Sequence, residues 1–267
     1  MKQVSVNQLP SSYAERLLGA LRLFAEHSDV LTIKEVGEKL GLPPSSAHRV
    51  LEPLVELGLV ERAPQRRYRI GTEFFRIAMR VQDRFEIVSL ARPLVEEAAE
   101  RTGETCLLAL LAPSRRRIVL AYKADTKLPL RFKFDLLENI TPAWGSLGRA
   151  IMAWLSPTDL ARIIEEAGPS PVTGQMLPSL DQLQKEFVEI RRRGVASSKG
   201  QRGASDAYGI SAPFFDANGQ VRGAIGVVAP EFRVGQDAAA NTAQVVKRQA
   251  AELSRLCGHR VNETRTG

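Results

Sequence analysis

The organisation of the first domain is decided by residues 31–62, LTIKEVGEKLGLPPSSAHRVLEPLVELGLVER. The first part predicts a short helix that begins after Thr32, with Glu35 completing a capping box, and that ends at Gly41. A second helix opens with Pro44 in its first turn, where the missing N–H costs nothing. Apolar residues recur at helical spacing in both helices, so each can bury one face. This order is typical of a helix-turn-helix whose second helix enters the major groove of DNA.

The next stretch, residues 63–71, reads APQRRYRIG and turns the chain back into a second strand, which predicts a winged helix. Side chains alternate along a strand, so Arg67 and Arg69 should share one face while Tyr68 takes the other. Basic wing tips contact phosphates or the minor groove, so we predict this role for Arg66, Arg67 and Arg69. The alternative is that these arginines form only a solvated run of charge.

Four polar residues lie at or near the start of the second helix: Ser45, Ser46, His48 and Arg49. Serine and histidine exchange hydrogen bonds with base edges or phosphates, and arginine holds guanine through two hydrogen bonds. We predict that these residues and Thr32 bind DNA. In the alternative interpretation the two serines only cap the helix. Pro53 predicts a kink in the second half of the helix, away from the end that meets DNA.

Length and composition favour a two-domain protein that works inside the cell. The chain has 267 residues and a net charge of +7, which is mild evidence for a nucleic-acid partner, and seven arginines fall between positions 62 and 84. Two cysteines make no disulfide framework, so we expect reduced thiols and a cytoplasmic protein. Neither a signal peptide nor an apolar run of about 18 residues is evident, so we expect no membrane partner.

The predicted domains are a winged helix over 12–71, a linker helix over 72–87 and a sensor domain over 88–258. Ser12 and Glu15 predict a capping box for a first helix, and residues before it are expected to be disordered. In the sensor domain, the pattern predicts helices at 88–101, 146–155, 157–167, 180–193 and 236–257. Predicted strands lie at 106–112, 117–123, 130–134, 209–215 and 221–228, the last two joined through Asn218-Gly219. The interleaved elements indicate an α/β sensor domain and an α+β fold for the whole chain.

Several motifs, taken in their order and spacing, resemble the IclR family of bacterial transcription regulators. They are GLPPSSAHR at 41–49, LGLVER at 57–62, GSLGRA at 145–150, RRRG at 191–194 and APFFDANG at 212–219. The resemblance implies an N-terminal winged helix, a linker helix and a C-terminal effector-binding domain related to GAF-type sensors. It also implies a homodimer or homotetramer that binds double-stranded operator DNA and responds to a small organic acid or aromatic compound.

The same resemblance implies an effector pocket beside the turn at 144–148, where a helix N-terminus can bind a carboxylate. The predicted effector-binding residues are Trp144, Ser146, Leu147, Arg202, Asp206, Tyr208, Gly226 and Val228. Because Gly226 and Val228 replace side chains that are often polar in the family, we hypothesise a bulkier, less polar acid, such as an aromatic one. The alternative is that Gly145 and Gly148 are packing glycines and that Trp144 belongs to the core.

Catalytic interpretations find little support in the sequence. The nucleophile-elbow pattern Gly-x-Ser-x-Gly fails at its last position in 209–213 and at its first in 144–148. The three histidines are scattered, and neither zinc-ligand spacing nor a phosphate-binding or dinucleotide-binding loop is evident, so we expect no catalytic residue, cofactor or metal. Two rivals remain: an enzyme acting on a small acid with the winged helix as a targeting module, and a winged helix that binds protein.

Overall fold

The computed structural model describes residues 12–26, 30–83, 86–112, 116–137 and 139–259, with only the backbone at 81–83. The segment before Ser12 that we expected to be disordered lies outside these residues, as does most of the predicted turn at 113–116. The chain divides into two compact units, residues 1–85 and 86–267. Each unit has its own sheet.

The first unit is a winged helix. Its elements are α1 (Tyr13–Glu26), β1 (Leu31–Thr32), α2 (Ile33–Leu40), α3 (Pro44–Glu56), β2 (Val60–Ala63), β3 (Arg67–Ile70) and α4 (Thr72–Asp83). The three short strands form an antiparallel sheet in the order β1-β3-β2. Buried apolar residues from α1, α2, α3 and the strands, including Phe24, Val36, Leu51 and Val60, form one core.

Local hydrogen bonds set the helix boundaries of this unit, as the sequence predicted. Thr32 Oγ1 accepts the Glu35 N–H at 3.2 Å, and the Glu35 carboxylate accepts the Thr32 N–H at 2.7 Å. The hydrogen bonds that the Thr32 N–H and hydroxyl donate to the Glu35 carboxylate lower the pKa of Glu35. Gly41 ends α2 with φ at 65°, a left-handed conformation that glycine adopts without a steric penalty. Ser12 and Glu15 form the equivalent box before α1.

The second unit is a six-stranded antiparallel sheet with helices on both faces. In chain order its elements are α5 (Glu86–Thr102), β4 (Thr105–Leu111), β5 (Ile118–Ala124), β6 (Asn139–Ile140), α6 (Ser146–Met152), α7 (Pro157–Glu166), α8 (Leu180–Arg193), β7 (Ala196–Lys199), β8 (Ala207–Phe215), β9 (Val221–Pro230) and α9 (Gln236–Leu256). The strand order is β6-β5-β4-β9-β8-β7. The mixed α+β class is thereby confirmed. Within the described ranges, no helix is long and apolar enough to span a membrane.

Alternation along the strands gives this sheet two different cores. One face packs against α6, α7 and α8 through residues such as Leu107, Leu147 and Phe187. The other packs against α5 and α9 through residues such as Ile210 and Phe214. Successive residues of β8 and β9 therefore belong to different cores, as the period of a strand requires.

One predicted strand is wrong, and one observed strand was not predicted. The strand expected at 130–134 is irregular, and the Leu130 carbonyl accepts a hydrogen bond from the Arg233 guanidinium at 3.0 Å. The strand that pairs with β5 at this edge is β6, further along the chain. The strand β7 was not predicted, because its polar segment lacks apolar alternation; it pairs with β8 at the edge of the sheet. Of the helix expected at 72–87, the structure describes 72–83 as α4 and the last two residues as the start of α5; residues 84 and 85 lie outside the described residues.

Candidate DNA-reading surface and ligand site

The second helix of the helix-turn-helix, α3, presents a polar outer face. Its N-cap is Pro43 and Pro44 is its first residue, so neither Ser45 nor Ser46 caps it. Ser45, His48 and Arg49 are exposed and Ser46 is half-buried, whereas Ala47 and Val50 are buried, as the helical spacing requires. The arrangement leaves three polar side chains of one helix face open to a partner.

The sequence interpretation missed Glu52 on this face. The side chain is exposed, and its Oε1 lies 3.8 Å from His48 Nδ1, four residues earlier on the same helix. Residues four apart on a helix are surface neighbours, so spacing from His48 was the signal that could have identified it. A carboxylate beside the imidazole gives the face an acceptor next to its donors.

The wing carries its arginines as the alternation predicted. Arg67 and Arg69 are exposed, while Tyr68 between them is buried in the core of the unit. At the tip, Gln65 and Arg66 adopt φ values of 61° and 57°. Left-handed backbone costs a non-glycine residue about 1 kcal/mol or more, so the tip is held in a strained shape that projects Arg66 outward.

Within the described residues, Arg69 makes side-chain hydrogen bonds that Arg66 and Arg67 do not make. Its Nε and Nη2 donate to Glu61 Oε2 at 3.2 and 3.1 Å. Glu61 Oε1 accepts the Thr72 N–H at 2.8 Å and its hydroxyl at 2.7 Å. Hydrogen bonds from Thr72 and then Arg69 lower the pKa of Glu61. The network ties β2 and β3 to the start of α4, so Arg69 stabilises the wing whether or not it meets DNA.

In the second unit, the predicted ligand turn is buried and internally bonded. Trp144 Nε1 donates to the Gly168 carbonyl at 3.2 Å. Ser146 and Ser211 share a hydrogen bond of 2.7 Å between their hydroxyls. Leu147 is buried in the α6-side core. Trp144 therefore does belong to the core, and α6 begins against the sheet rather than in solvent.

Gly226 is a close-packing position in β9. A Cβ added there would lie 2.2 Å from Ser211 Oγ and 2.9 Å from Leu147 Cδ2. Val228 is half-buried against the same core. We hypothesised a bulkier ligand from Gly226 and Val228, but Leu147 and Ser211 occupy the space beside Gly226.

The loop before β8 covers the turn through Gln201, which the sequence interpretation missed. Its side-chain oxygen accepts the Gly145 N–H at 3.4 Å, and its carbonyl accepts the Ser170 hydroxyl at 2.8 Å. Arg202 Cβ lies 3.6 Å from where a Cβ on Gly145 would stand. Asp206 is exposed, and its carbonyl accepts the Glu231 N–H at 2.8 Å. Arg202 thus lies against the turn, while Asp206 faces solvent.

Tyr208 lies apart from the other predicted ligand residues. It packs with Ile210 on the face of the sheet that α5 and α9 cover, opposite Ser146 and Leu147. Ser211 lies on the α6 face instead, paired with Gly226 across β8 and β9. The structure therefore brings together Trp144, Ser146, Leu147, Gly226 and Val228, with Arg202 above the turn, and separates Tyr208 from them.

In the described part of the chain, one charged side chain is buried in this core. Arg149 of α6 is 1% exposed, and its Nη1 donates to Glu186 of α8 at 3.1 Å. Among the described residues its Nε has no hydrogen-bond partner. Burial lowers the pKa of Arg149, and the Glu186 carboxylate partly opposes that shift. The pair links the helix that begins at the ligand turn to α8.

Two grooves in this unit lie away from the predicted ligand residues. One, of about 620 Å³, is lined by apolar residues of α7 and α8, including Leu160 and Phe187. The other, of about 500 Å³, lies between α5 and the end of β5. Within the described ranges, no cluster of three His, Cys, Asp or Glu side chains is placed to hold a metal ion.

Comparison with known proteins identifies both units. The family model for the IclR helix-turn-helix domain matches residues 14–64, and that for the bacterial transcriptional regulator IclR C-terminal domain matches residues 79–255. The HTH-type transcriptional regulator BhcR of Paracoccus denitrificans is 30% identical, over 90% of this chain and 85% of its own.

Solved structures share the fold over nearly the whole chain. A putative IclR transcriptional regulator from a Silicibacter species has a TM-score of 0.81 at 23% identity, covering 94% of this chain and 98% of its own. An IclR homolog from Microbacterium hydrocarbonoxydans, crystallised with 4-hydroxybenzoate, has a TM-score of 0.76 at 20% identity, covering 91% and 100%. The chain belongs to the IclR family of bacterial transcriptional regulators, with a helix-turn-helix domain and a C-terminal effector domain.

Proposed function

We propose that this regulator docks α3 in the major groove of its operator through Ser45, Ser46, His48 and Arg49. The observation that supports this most is the exposed polar face of α3 beside an exposed arginine wing. Arg66 and Arg67 contact phosphates or the minor groove, and Thr32 contacts the backbone at the capped start of α2. Arg69 adds charge while it holds Glu61. The protein acts in the cytoplasm, where bacterial DNA lies.

We also propose that the effector is a small organic acid with an apolar, aromatic body. The apolar side chains of Trp144, Leu147 and Val228 pack in the core at this site, with the cationic Arg202 above the turn. The Microbacterium relative was crystallised with 4-hydroxybenzoate, an acid of this type. Because Leu147 and Ser211 fill the space over Gly226, Leu147 changes rotamer when the ligand enters.

Effector binding shifts the population of two arrangements within a homodimer or homotetramer. The segment 72–87 acts as the linker between the DNA-binding domain (12–71) and the effector domain (88–258). The ligand favours one arrangement, and the spacing of paired winged helices then decides whether both dock on the operator half-sites. The ligand is released without chemical change. The buried hydroxyls of Ser146 and Ser211 bond each other, so within the described residues neither has the histidine base that activates a serine nucleophile.

The test is a selection of preferred sites from random duplex DNA near physiological salt, with the purified protein alone and with aromatic and aliphatic acids. We expect enrichment of a two-fold symmetric site, with affinity that falls steeply as salt rises. No enrichment under either condition contradicts the DNA-binding proposal and favours a protein partner for the winged helix.

Isothermal titration then tests the ligand. We expect 4-hydroxybenzoate or a related aromatic acid to bind, with weaker binding in Arg202→Ala. Binding by small hydrophilic acids alone contradicts the aromatic proposal. Product formation, followed by NMR of the ligand over hours, contradicts the proposal that the effector domain is not catalytic.

A further inference from the structure

The DNA-reading helix contains a proline whose missing donor leaves one carbonyl without its helical partner. In an α-helix, the N–H of residue 53 donates to the carbonyl of residue 49, and Pro53 has no N–H. The helix continues through this point, because the Leu57 N–H donates to the Pro53 carbonyl at 3.0 Å. The carbonyl that lacks its helical donor belongs to Arg49. The guanidinium of the same residue is the one we place in the major groove.

A side chain from another helix supplies a donor at this carbonyl. The Tyr13 hydroxyl donates to the Arg49 carbonyl at 3.4 Å. The distance is long for an O–H···O bond, so its contribution is modest. Tyr13 is the first residue of α1, and the Ser12–Glu15 capping box around it holds its backbone in place. The contact therefore joins a defined position on α1 to the turn of α3 that Pro53 weakens.

The hydrophobic core of the unit does not hold the outer side of this α3 turn. Val50, Leu51 and Leu54 bury the inner face of α3, but Arg49 lies on the outer face and is exposed. The outer side of the turn between Arg49 and Pro53 thus has one helical hydrogen bond fewer than a regular helix. A turn with fewer hydrogen bonds samples more orientations. Ordering Arg49 against a base then costs more conformational entropy.

We infer that Tyr13 is a positioning residue for DNA recognition. Its hydroxyl replaces the missing Pro53 N–H and holds the α3 turn in the orientation from which Arg49 reads a base. The inference rests on the proposed function of α3. It assigns a role in sequence preference to a residue of α1 that lies outside the helix-turn-helix itself.

The test is a double-mutant cycle of Tyr13→Phe and Pro53→Ala, read as affinity for the selected operator and for random duplex by fluorescence anisotropy. Tyr13→Phe keeps the ring and removes only the hydroxyl. We expect it to weaken operator binding about fivefold, the value of one net hydrogen bond, with little change for random duplex. Pro53→Ala restores the N–H, so Tyr13→Phe in that background should change operator affinity by less than about twofold.

Each deviation from this pattern has a distinct meaning. If the wild type binds the operator and Tyr13→Phe binds it equally well, the positioning role is wrong. If the loss is as large in the Pro53→Ala background, Tyr13 contacts DNA directly and the inference is also overturned. A wild type without any preferred site contradicts the proposed function itself.

A spectroscopic measurement decides the same point without DNA. Loss of the hydrogen bond to the Arg49 carbonyl should shift its ¹³C resonance in Tyr13→Phe, and Pro53→Ala should remove that sensitivity. If Pro53→Ala does not fold by circular dichroism, the shift in Tyr13→Phe alone is the deciding result. An unchanged Arg49 carbonyl resonance then overturns the inference.

Discussion

The DNA-reading surface and the ligand site are built in opposite ways. The reading surface comes from one short segment, residues 32–69, and its predicted contact residues are largely exposed. The ligand site combines residues near 145, 202 and 226, and most of its side chains are buried and packed against each other. The first is a polar face on a locally capped helix, whereas the second depends on the packing of a helix against a sheet.

The difference shows where each site tolerates change. On α3 the outer side chains can vary without touching the core, so DNA preference is free to change between relatives. At the ligand site a single methyl group meets backbone or a buried hydroxyl, so changes in ligand preference require compensating changes nearby.

The largest expected effect sharpens this contrast. In Gly148→Ala, the new Cβ would lie 1.9 Å from the Pro142 carbonyl oxygen. Because backbone must move, we expect the free energy of unfolding of the second unit to fall by about 3 kcal/mol or more. Urea unfolding followed by tryptophan fluorescence measures it, since both tryptophans, Trp144 and Trp154, lie in this unit.

The matched control is Gly168→Ala, whose Cβ would meet no heavy atom within 4 Å. We expect its free energy of unfolding to stay within about 0.5 kcal/mol of wild type. Equal stability of the two variants would show that α6 is not held by close packing at Gly148.

The next effect concerns the ion pair between the buried Arg149 and the partly exposed Glu186. Glu186→Ala leaves the buried Arg149 guanidinium without its partner, so we expect a loss of about 2 kcal/mol, reduced because Glu186 is partly exposed. Arg149→Met removes the charge and keeps an apolar side chain, so it should cost less than Glu186→Ala. The same urea titration measures both, and the reverse order would mean that the guanidinium itself stabilises the core.

Local features of the chain were predictable because their causes lie within a few residues. The capping boxes at Ser12 and Thr32, the alternation around Tyr68 and the Asn218-Gly219 turn all formed as expected, with Gly219 at φ 73°. Each depends on a side chain bonding backbone two to four residues away, or on the period of a strand.

Features that depend on distant pairing were not predictable in the same way. We predicted that Tyr208 lines the pocket, but it lies on the opposite face of the sheet. The face that a strand residue takes depends on the register of β8 and β9, and no local signal in the sequence states that register. The burial of Arg149 was missed because an arginine in a helix pattern normally indicates a solvent face. The predicted ligand residues therefore stand on family resemblance, whereas the reading surface follows from the residues themselves.

At Arg49 and Arg67 of the reading surface, substitutions should change binding and leave stability unchanged. Arg49→Ala should cost about 1–3 kcal/mol of operator binding and relax the preference at one base pair. Arg67→Ala should weaken operator and random duplex alike and reduce the salt slope by about 1. Anisotropy titrations at several salt concentrations measure both, and thermal melts should match wild type. If Arg67→Ala changed base preference instead, the wing would be reading sequence.

The smallest expected effect lies where the wing joins α4. As at the ligand site, side chains from different elements bond each other there. Bonds from Thr72 and Arg69 lower the folded-state pKa of Glu61, so its carboxylate stabilises the fold above pH 4.5, and that contribution is lost as pH falls through 4.5 toward the folded pKa. Glu61→Gln lacks this contribution at every pH. The wild type should therefore unfold at a higher temperature than the variant at pH 7, and the difference should shrink as pH falls below 4.5. Circular dichroism melts of the two proteins across this range measure it.

A difference that stays constant with pH would mean that shape, rather than the charge of Glu61, holds the wing against α4. The reading surface would then depend on packing, as the ligand site does.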